Sequence, residues 1–142
     1  MEIVKTHVGA YGIILKDNKI ALIRKARGGY KGKLDLPGGG IEHTETPEET
    51  LKRELLEETG AKAKSIKLLA ETYPSPGCLK ERLFLYLAEE LEYSKQHLDE
   101  DEFLEVYEFT LEEAISLIKK GEIKDAKTIN ALLLYKENIF KD

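Results

Sequence analysis

Short apolar stretches separated by turn formers dominate the first part of the chain. From His7 to Leu15 and from Lys19 to Ile23 the residues are apolar and β-prone. Asp17 and Asn18 between them favour a turn, so the pair reads as a hairpin. "AKSIKLLAETY" and "RLFLYLAEEL" have the same strand character and are joined by "PSPGCLKE", whose prolines and glycine demand a loop. A further strand-like piece, "FLEVYEF", follows the acidic run Asp99–Glu102. "KARGGYKGK", Lys25 to Lys33, mixes glycine with positive charge, keeps neither regular period and reads as a loop, and "LDLPGGG" leads from it into a glutamate-rich segment.

Helical signals are concentrated in three places. Thr46, Pro47 and Glu49 supply an N-cap, a first-turn proline and a capping box, so "PEETLKRELLEET" is predicted helical, with Gly60 closing it. Thr110 with Glu113 opens "LEEAISLIKKG", ended by Gly121. A last helix is predicted over "DAKTINALLLYKENIF", where Ile129, Leu132, Leu133 and Lys136 stand at helical spacing. Strands, one central helix, more strands and terminal helices predict an α/β protein layered around a sheet. No repeat or linker divides residues 1–142, so one domain is expected.

Composition narrows the partners. A chain of 142 residues, 42% hydrophobic, can bury one real core. With 35% charged residues and a net charge of −5, it has no long-range attraction to nucleic acid or to an anionic membrane, and a phosphorylated ligand would need local cationic help. No signal-like start or long apolar run is present, which predicts a soluble, cytoplasmic protein. The single cysteine, Cys78, fits a reducing compartment and lacks a nearby histidine partner.

The central helix carries the candidate chemistry. Glu54, Glu57 and Glu58 lie at i, i+3 and i+4 and so share a face. Like-charge pairs at this spacing cost a helix roughly 0.2 to 0.5 kcal/mol each, a sign that a divalent cation would reverse. Magnesium takes hard oxygen ligands, often one or two carboxylates completed by waters and substrate phosphates. Gly38, Gly39 and Gly40 let backbone approach a ligand closely, and the Gly38 carbonyl is a candidate metal donor. Glu45 is placed to join or brace the cluster, and Arg53 to orient a neighbouring carboxylate. Taken without further context, the row also fits a solvated helix face on a glutamate-rich protein.

The spacing Gly39, five residues, Glu45, seven residues, then "RELLEETGA" resembles the Nudix box of the Nudix hydrolase family, matching at Gly39, Glu45, Arg53, Glu54, Glu57, Glu58 and Gly60. Multiplying residue frequencies gives about 10⁻⁵ for such a match anywhere along the chain, which displaces the solvated-face reading. Thr44 departs from the commonest form, where glycine is frequent, and Ala61 stands where a bulkier aliphatic residue usually follows. The resemblance implies an α/β/α sandwich with a mixed β-sheet and metal-dependent hydrolysis of a nucleoside diphosphate derivative. It makes Glu54 and Glu58 the main Mg2+ ligands, with Mn2+ as the substitute ion, and Glu57 a residue that shares metal or braces water.

Beyond the box, "YPSPGCLKERLFLYLAEEL", "DEDEFLEVYEFTLEEAISLIKKGEI" and "DAKTINALLLY" resemble the ADP-ribose pyrophosphatase branch, including Pro76 fifteen residues past Ala61. That likeness implies Glu102 as the base that activates water, Glu81 as a further metal or water contact, and Arg27 against the diphosphate. Tyr30 or Tyr73 could stack on adenine, although a tyrosine at a strand end is more often packing. The implied reaction is ADP-ribose to AMP and ribose 5-phosphate. Two alternatives stay open: a sanitising nucleoside triphosphate pyrophosphatase, and a nucleotide sensor without turnover, against which the complete set of box carboxylates argues. The glycine triplet looks more like general small Nudix hydrolases than this branch. A homodimer is also implied, although only residues 1–6 precede the first strand, whereas the branch commonly builds its dimer with a longer N-terminal strand region.

Overall fold

Asp17 and Asn18 both adopt left-handed backbone, with φ of 51° and 63°, the combination that a tight two-residue hairpin turn requires. They join β1 (His7–Lys16) to β2 (Lys19–Lys25), which pair antiparallel from Ile14–Ala21 to Lys16–Lys19. The computed structural model describes residues 6–25, 32–94 and 104–141.

Away from the turn, the chain's return fills the fork between these two strands. β3 (Leu34–Asp35) pairs with Ile23 and Arg24 of β2, and β4 (Gly38–Gly40) pairs with Gly9–Tyr11 of β1. The glycine triplet is therefore a short strand. The free backbone edge of β1 offers partners that outweigh the conformational freedom of glycine.

The remaining elements are α1 (Pro47–Thr59), β5 (Ala61–Thr72), β6 (Glu81–Tyr93), β7 (Leu104–Thr110), α2 (Leu111–Lys119) and α3 (Ala126–Lys136). The sheet runs β3-β2-β1-β6-β5, with β7 added antiparallel to β2; β1 and β6 run parallel, so the sheet is mixed. Both expected capping boxes form, at Thr46 with Glu49 and at Thr110 with Glu113. Gly60 closes α1 in the left-handed conformation, φ 75°. The last helix is shorter than expected. It stops at Lys136, Asn138 turns left-handed, and the Ile139 N–H folds back to the Leu134 carbonyl. Its buried positions are Thr128, Ala131 and Leu132, while Leu133 faces solvent.

Strand alternation sorts apolar side chains onto two faces. Leu83, Leu85 and Leu87 of β6 join Ile13, Leu22, Ala131 and Leu132 on the α2/α3 side. Tyr86 and Ala88 join Ala10, Ile14, Leu51 and Leu55 on the α1 side. The result is the α/β/α sandwich. α1 settles close to β1 because Gly12 lies beneath Leu51; a Cβ there would stand 3.1 Å from a Leu51 methyl carbon. No helix among the described residues is long and apolar enough to cross a membrane.

Candidate active site

The buried face of α1 that carries Leu51 and Leu55 also holds Glu58, with Glu54 at its margin, and sets both carboxylates against β4. Glu58 is buried, 4% exposed, and its Oε1 accepts the Gly38 N–H at 2.9 Å. Gly38 itself has φ 143°, and a Cβ on it would fall 2.3 Å from the Ala10 carbonyl oxygen, so only glycine fits. Beside it, the Glu54 carboxylate fills the space a Gly39 side chain would need: a Cβ at that position would stand 2.6 Å from Oε1.

Arg53 ties this row together. Its Nε donates to Glu45 Oε2 at 2.7 Å and one terminal nitrogen donates to Glu45 Oε1 at 3.0 Å, a two-pronged grip that suits guanidinium and carboxylate geometry. The other terminal nitrogen donates to Glu54 Oε1 at 2.8 Å and reaches Glu57 Oε2 at 3.5 Å. The Gly40 carbonyl also accepts from Arg53, at 3.3 Å. Arg53 is thus only loosely paired with Glu57, and its short bonds go to Glu45 and Glu54. Thr50, fully buried, donates its hydroxyl to Glu45 Oε1 at 2.9 Å, and the Glu42 N–H donates to the same oxygen. Glu45 therefore braces the arginine from outside the helix. With Arg53 against it, the Glu45 carboxyl is lowered to about 2, chiefly by that hydrogen bond. Arg53 is held above its ordinary range, first by the same bond.

On the α2/α3 face of the sheet stands Tyr11, whose hydroxyl is pushed up to about 12, first by burial and then by the negative charges of Glu58, Asp125, Glu54 and Asp35. The Lys127 ammonium lies over its ring, 4.7 Å from the centroid, and pairs with Asp125 at 3.0 Å. The residues expected from sequence do not include Tyr11, Asp125, Lys127 or Thr128. Only Asp125, standing before a helical pattern, carries a local signal, that of an N-cap.

The residues present fit a hard divalent cation. Glu54, Glu57 and Glu58 offer carboxylate oxygens, one of them buried, and the absent Gly39 side chain leaves the cradle in which Glu54 lies. Among the described residues no group of three or more histidine, cysteine, aspartate or glutamate side chains is gathered closely enough to hold a metal ion by itself. An open set of this kind suits a small, hard divalent cation that keeps waters and takes substrate phosphate oxygens as further ligands.

The other expected site residues are placed differently. Glu81 is the first residue of β6 and pairs with His7, instead of lying in the preceding loop. The His7 ring packs over Gly40, where a Cβ would stand 3.2 Å from Cε1. Tyr73 is exposed at the end of β5, its hydroxyl 3.4 Å from Glu71. Arg27, Tyr30 and Glu102 lie outside the described residues.

Residues 5–132 match the family model described as NUDIX domain, and the chain belongs to the NUDIX family. Within it, the chain is 42% identical over 136 residues to an ADP-ribose pyrophosphatase of Bacillus subtilis (strain 168), covering 92% of this chain and 73% of the relative. It is 38% identical, with the same coverage, to a methanol dehydrogenase activator of Bacillus methanolicus. To a GDP-mannose pyrophosphatase of Yersinia enterocolitica it is 37% identical, over 85% of this chain and 65% of the relative. Its backbone superimposes on the crystal structure of an ADP compounds hydrolase with a TM-score of 0.84, at 24% identity, covering 94% of this chain and 73% of that one. That likeness concerns the fold.

Proposed function

We propose that the chain hydrolyses the diphosphate of ADP-ribose, giving AMP and ribose 5-phosphate. The observation that carries this reading is the Arg53 network, which holds Glu45 and Glu54 and reaches Glu57 beside the Gly38–Gly40 strand, while the Gly38 N–H of that strand fixes Glu58. The similarity to the Bacillus subtilis ADP-ribose pyrophosphatase supports the substrate.

In this reading Glu54 and Glu58 hold the metal, Glu57 shares it or braces water, and the Gly38 carbonyl is a further donor. Gly39 and Gly40 admit the diphosphate close to backbone, and Arg27 supplies a planar cation to it. Bound Mg2+, with Mn2+ able to substitute, would polarise phosphoryl oxygens and lower the pKa of the attacking water. Water's hydroxyl joins one phosphorus, the bridging oxygen departs with the other phosphate, and the released proton passes to a carboxylate base. Glu102 is assigned that role, with Glu81 the next residue to test. A cytoplasmic setting goes with this activity, supported by the single exposed cysteine, Cys78.

The test is a substrate panel with product identification, comparing ADP-ribose, GDP-mannose and an oxidised nucleoside triphosphate. ADP-ribose should show the highest kcat/KM. A higher value for another compound, or pyrophosphate released from a triphosphate as the main product, overturns the assignment. Tight nucleotide binding without any product in magnesium or manganese would point instead to a sensor. Glu102→Gln should lower kcat and spare metal affinity; an unchanged rate and pH profile would move the base to Glu81.

A further inference from the structure

Three consecutive residues entering the glycine strand are each tied to a different element. The Leu36 N–H donates to Thr128 Oγ1 of α3 at 3.0 Å. The Pro37 carbonyl accepts the Gly12 N–H of β1 at 3.1 Å. The Gly38 N–H donates to Glu58 Oε1 of α1 at 2.9 Å. The α3 and α1 ends of this chain of contacts lie on opposite faces of the sheet, so residues 36–38 are the thread between them.

The α3 end is itself built for rigidity. Thr128 is fully buried, and its hydroxyl, while accepting from Leu36, donates to Asp125 Oδ2 at 2.7 Å. The same Asp125 oxygen accepts the Thr128 N–H at 3.1 Å and meets the Lys127 ammonium at 3.0 Å. Lys127 in turn lies over Tyr11, the residue paired with Gly38. A buried hydroxyl polarised by a carboxylate is a strong, directional acceptor, and here the backbone it receives belongs to the segment that ends on Glu58.

We propose that Thr128, braced by Asp125, is a positioning residue for Glu58: by holding the Leu36 N–H it sets the height of the Gly38 N–H, and so the orientation of the buried carboxylate that receives it. This rests on the reading of Glu58 as a metal ligand. Outer groups that orient metal ligands commonly tune affinity and turnover without touching the ion.

The test uses Thr128→Val, which keeps the shape and removes the acceptor, with Thr128→Ser as the conservative rescue. Manganese binding to the substrate-free protein is measured by calorimetry, and the Gly38 amide by its NMR shift and hydrogen exchange. The Val variant should bind manganese about tenfold more weakly, show a shifted and faster-exchanging Gly38 amide, and lose kcat with KM for ADP-ribose unchanged. The Ser variant should restore all of these. Wild-type manganese affinity in folded Thr128→Val overturns the proposal, as does a Ser variant as weak as Val. Should the Val variant fail to fold, Asp125→Asn, which retains a capping side chain, is read by the same two measurements, and wild-type values there overturn it equally. Wild-type protein inert on ADP-ribose would refute the substrate reading alone, because the manganese and amide measurements still decide this one.

Discussion

Gly39 and Glu54 interlock: the carboxylate of Glu54 occupies the volume that any side chain at position 39 would require, with Oε1 2.6 Å from where a Cβ would stand. The clashing atom is the end of a flexible side chain, so Gly39→Ala should fold and should displace Glu54 from Arg53. Turnover is expected to fall about 10- to 100-fold, partly recovered at high magnesium. A magnesium titration of initial rates checks this, and wild-type rates at low magnesium would show that Glu54 need not lie there.

Glu58→Gln keeps an oxygen for the Gly38 N–H and removes the charge. The variant should therefore fold, and if Glu58 holds the metal as proposed, turnover should fall at least about 100-fold, more than for loss of a group that only supports a ligand. Circular dichroism and saturating-magnesium kinetics separate the two effects. Near-normal turnover would remove Glu58 from the metal assignment.

Both variants bear on carboxylates of α1, a helix whose extent sequence spacing predicts, and the reason is local. Thr46, Glu49 and Gly60 act on a single helix, so its boundaries and the shared face of Glu54, Glu57 and Glu58 follow from the 3.6-residue period. The Gly38–Gly40 strand is not legible in this way, because its pairing depends on an edge of β1 that only the folded sheet exposes. Thr128 is hidden more deeply: its partner Leu36 is 92 positions away, and nothing in either neighbourhood refers to the other. Helical spacing puts Leu133 on a stripe with Ile129, whereas packing selects the face one residue earlier, through Thr128 and Ala131. Arg27 and Glu102 fall outside the described residues, and their roles rest on the family resemblance.

The Glu45–Arg53 contact predicts an acid-sensitive fold. The Glu45 carboxyl is lowered from about 4.5 to about 2 in the folded protein, mainly by the Arg53 hydrogen bond. A depressed folded-state pKa contributes stability that is fully present above the unfolded value and is lost as pH falls through the folded one. The contribution should therefore fade between about pH 4.5 and pH 2. Glu45→Gln should be less stable than wild type at neutral pH and should lose less of its stability across that window. Urea midpoints at neutral pH and through the acid range measure both, and parallel pH profiles for the two proteins would rule this pair out as the cause.

Thr44 offers a stabilising change at a position where the Nudix box commonly has glycine. Its backbone sits at φ 73°, in the left-handed region, and its side chain is exposed. A β-branched residue there costs roughly 1–2 kcal/mol, while glycine loses roughly 0.5–1 kcal/mol more backbone entropy on folding. The first effect outweighs the second, so Thr44→Gly should gain about 0.5–1 kcal/mol and raise Tm by about 2–4 °C. The neighbouring Glu45 N–H bonds to the Glu42 carbonyl without help from the Thr44 side chain, so kcat should not change. Calorimetry of the two proteins decides the matter: a lower Tm in the glycine variant would mean that the threonine is held in this conformation by a contact worth more than its strain.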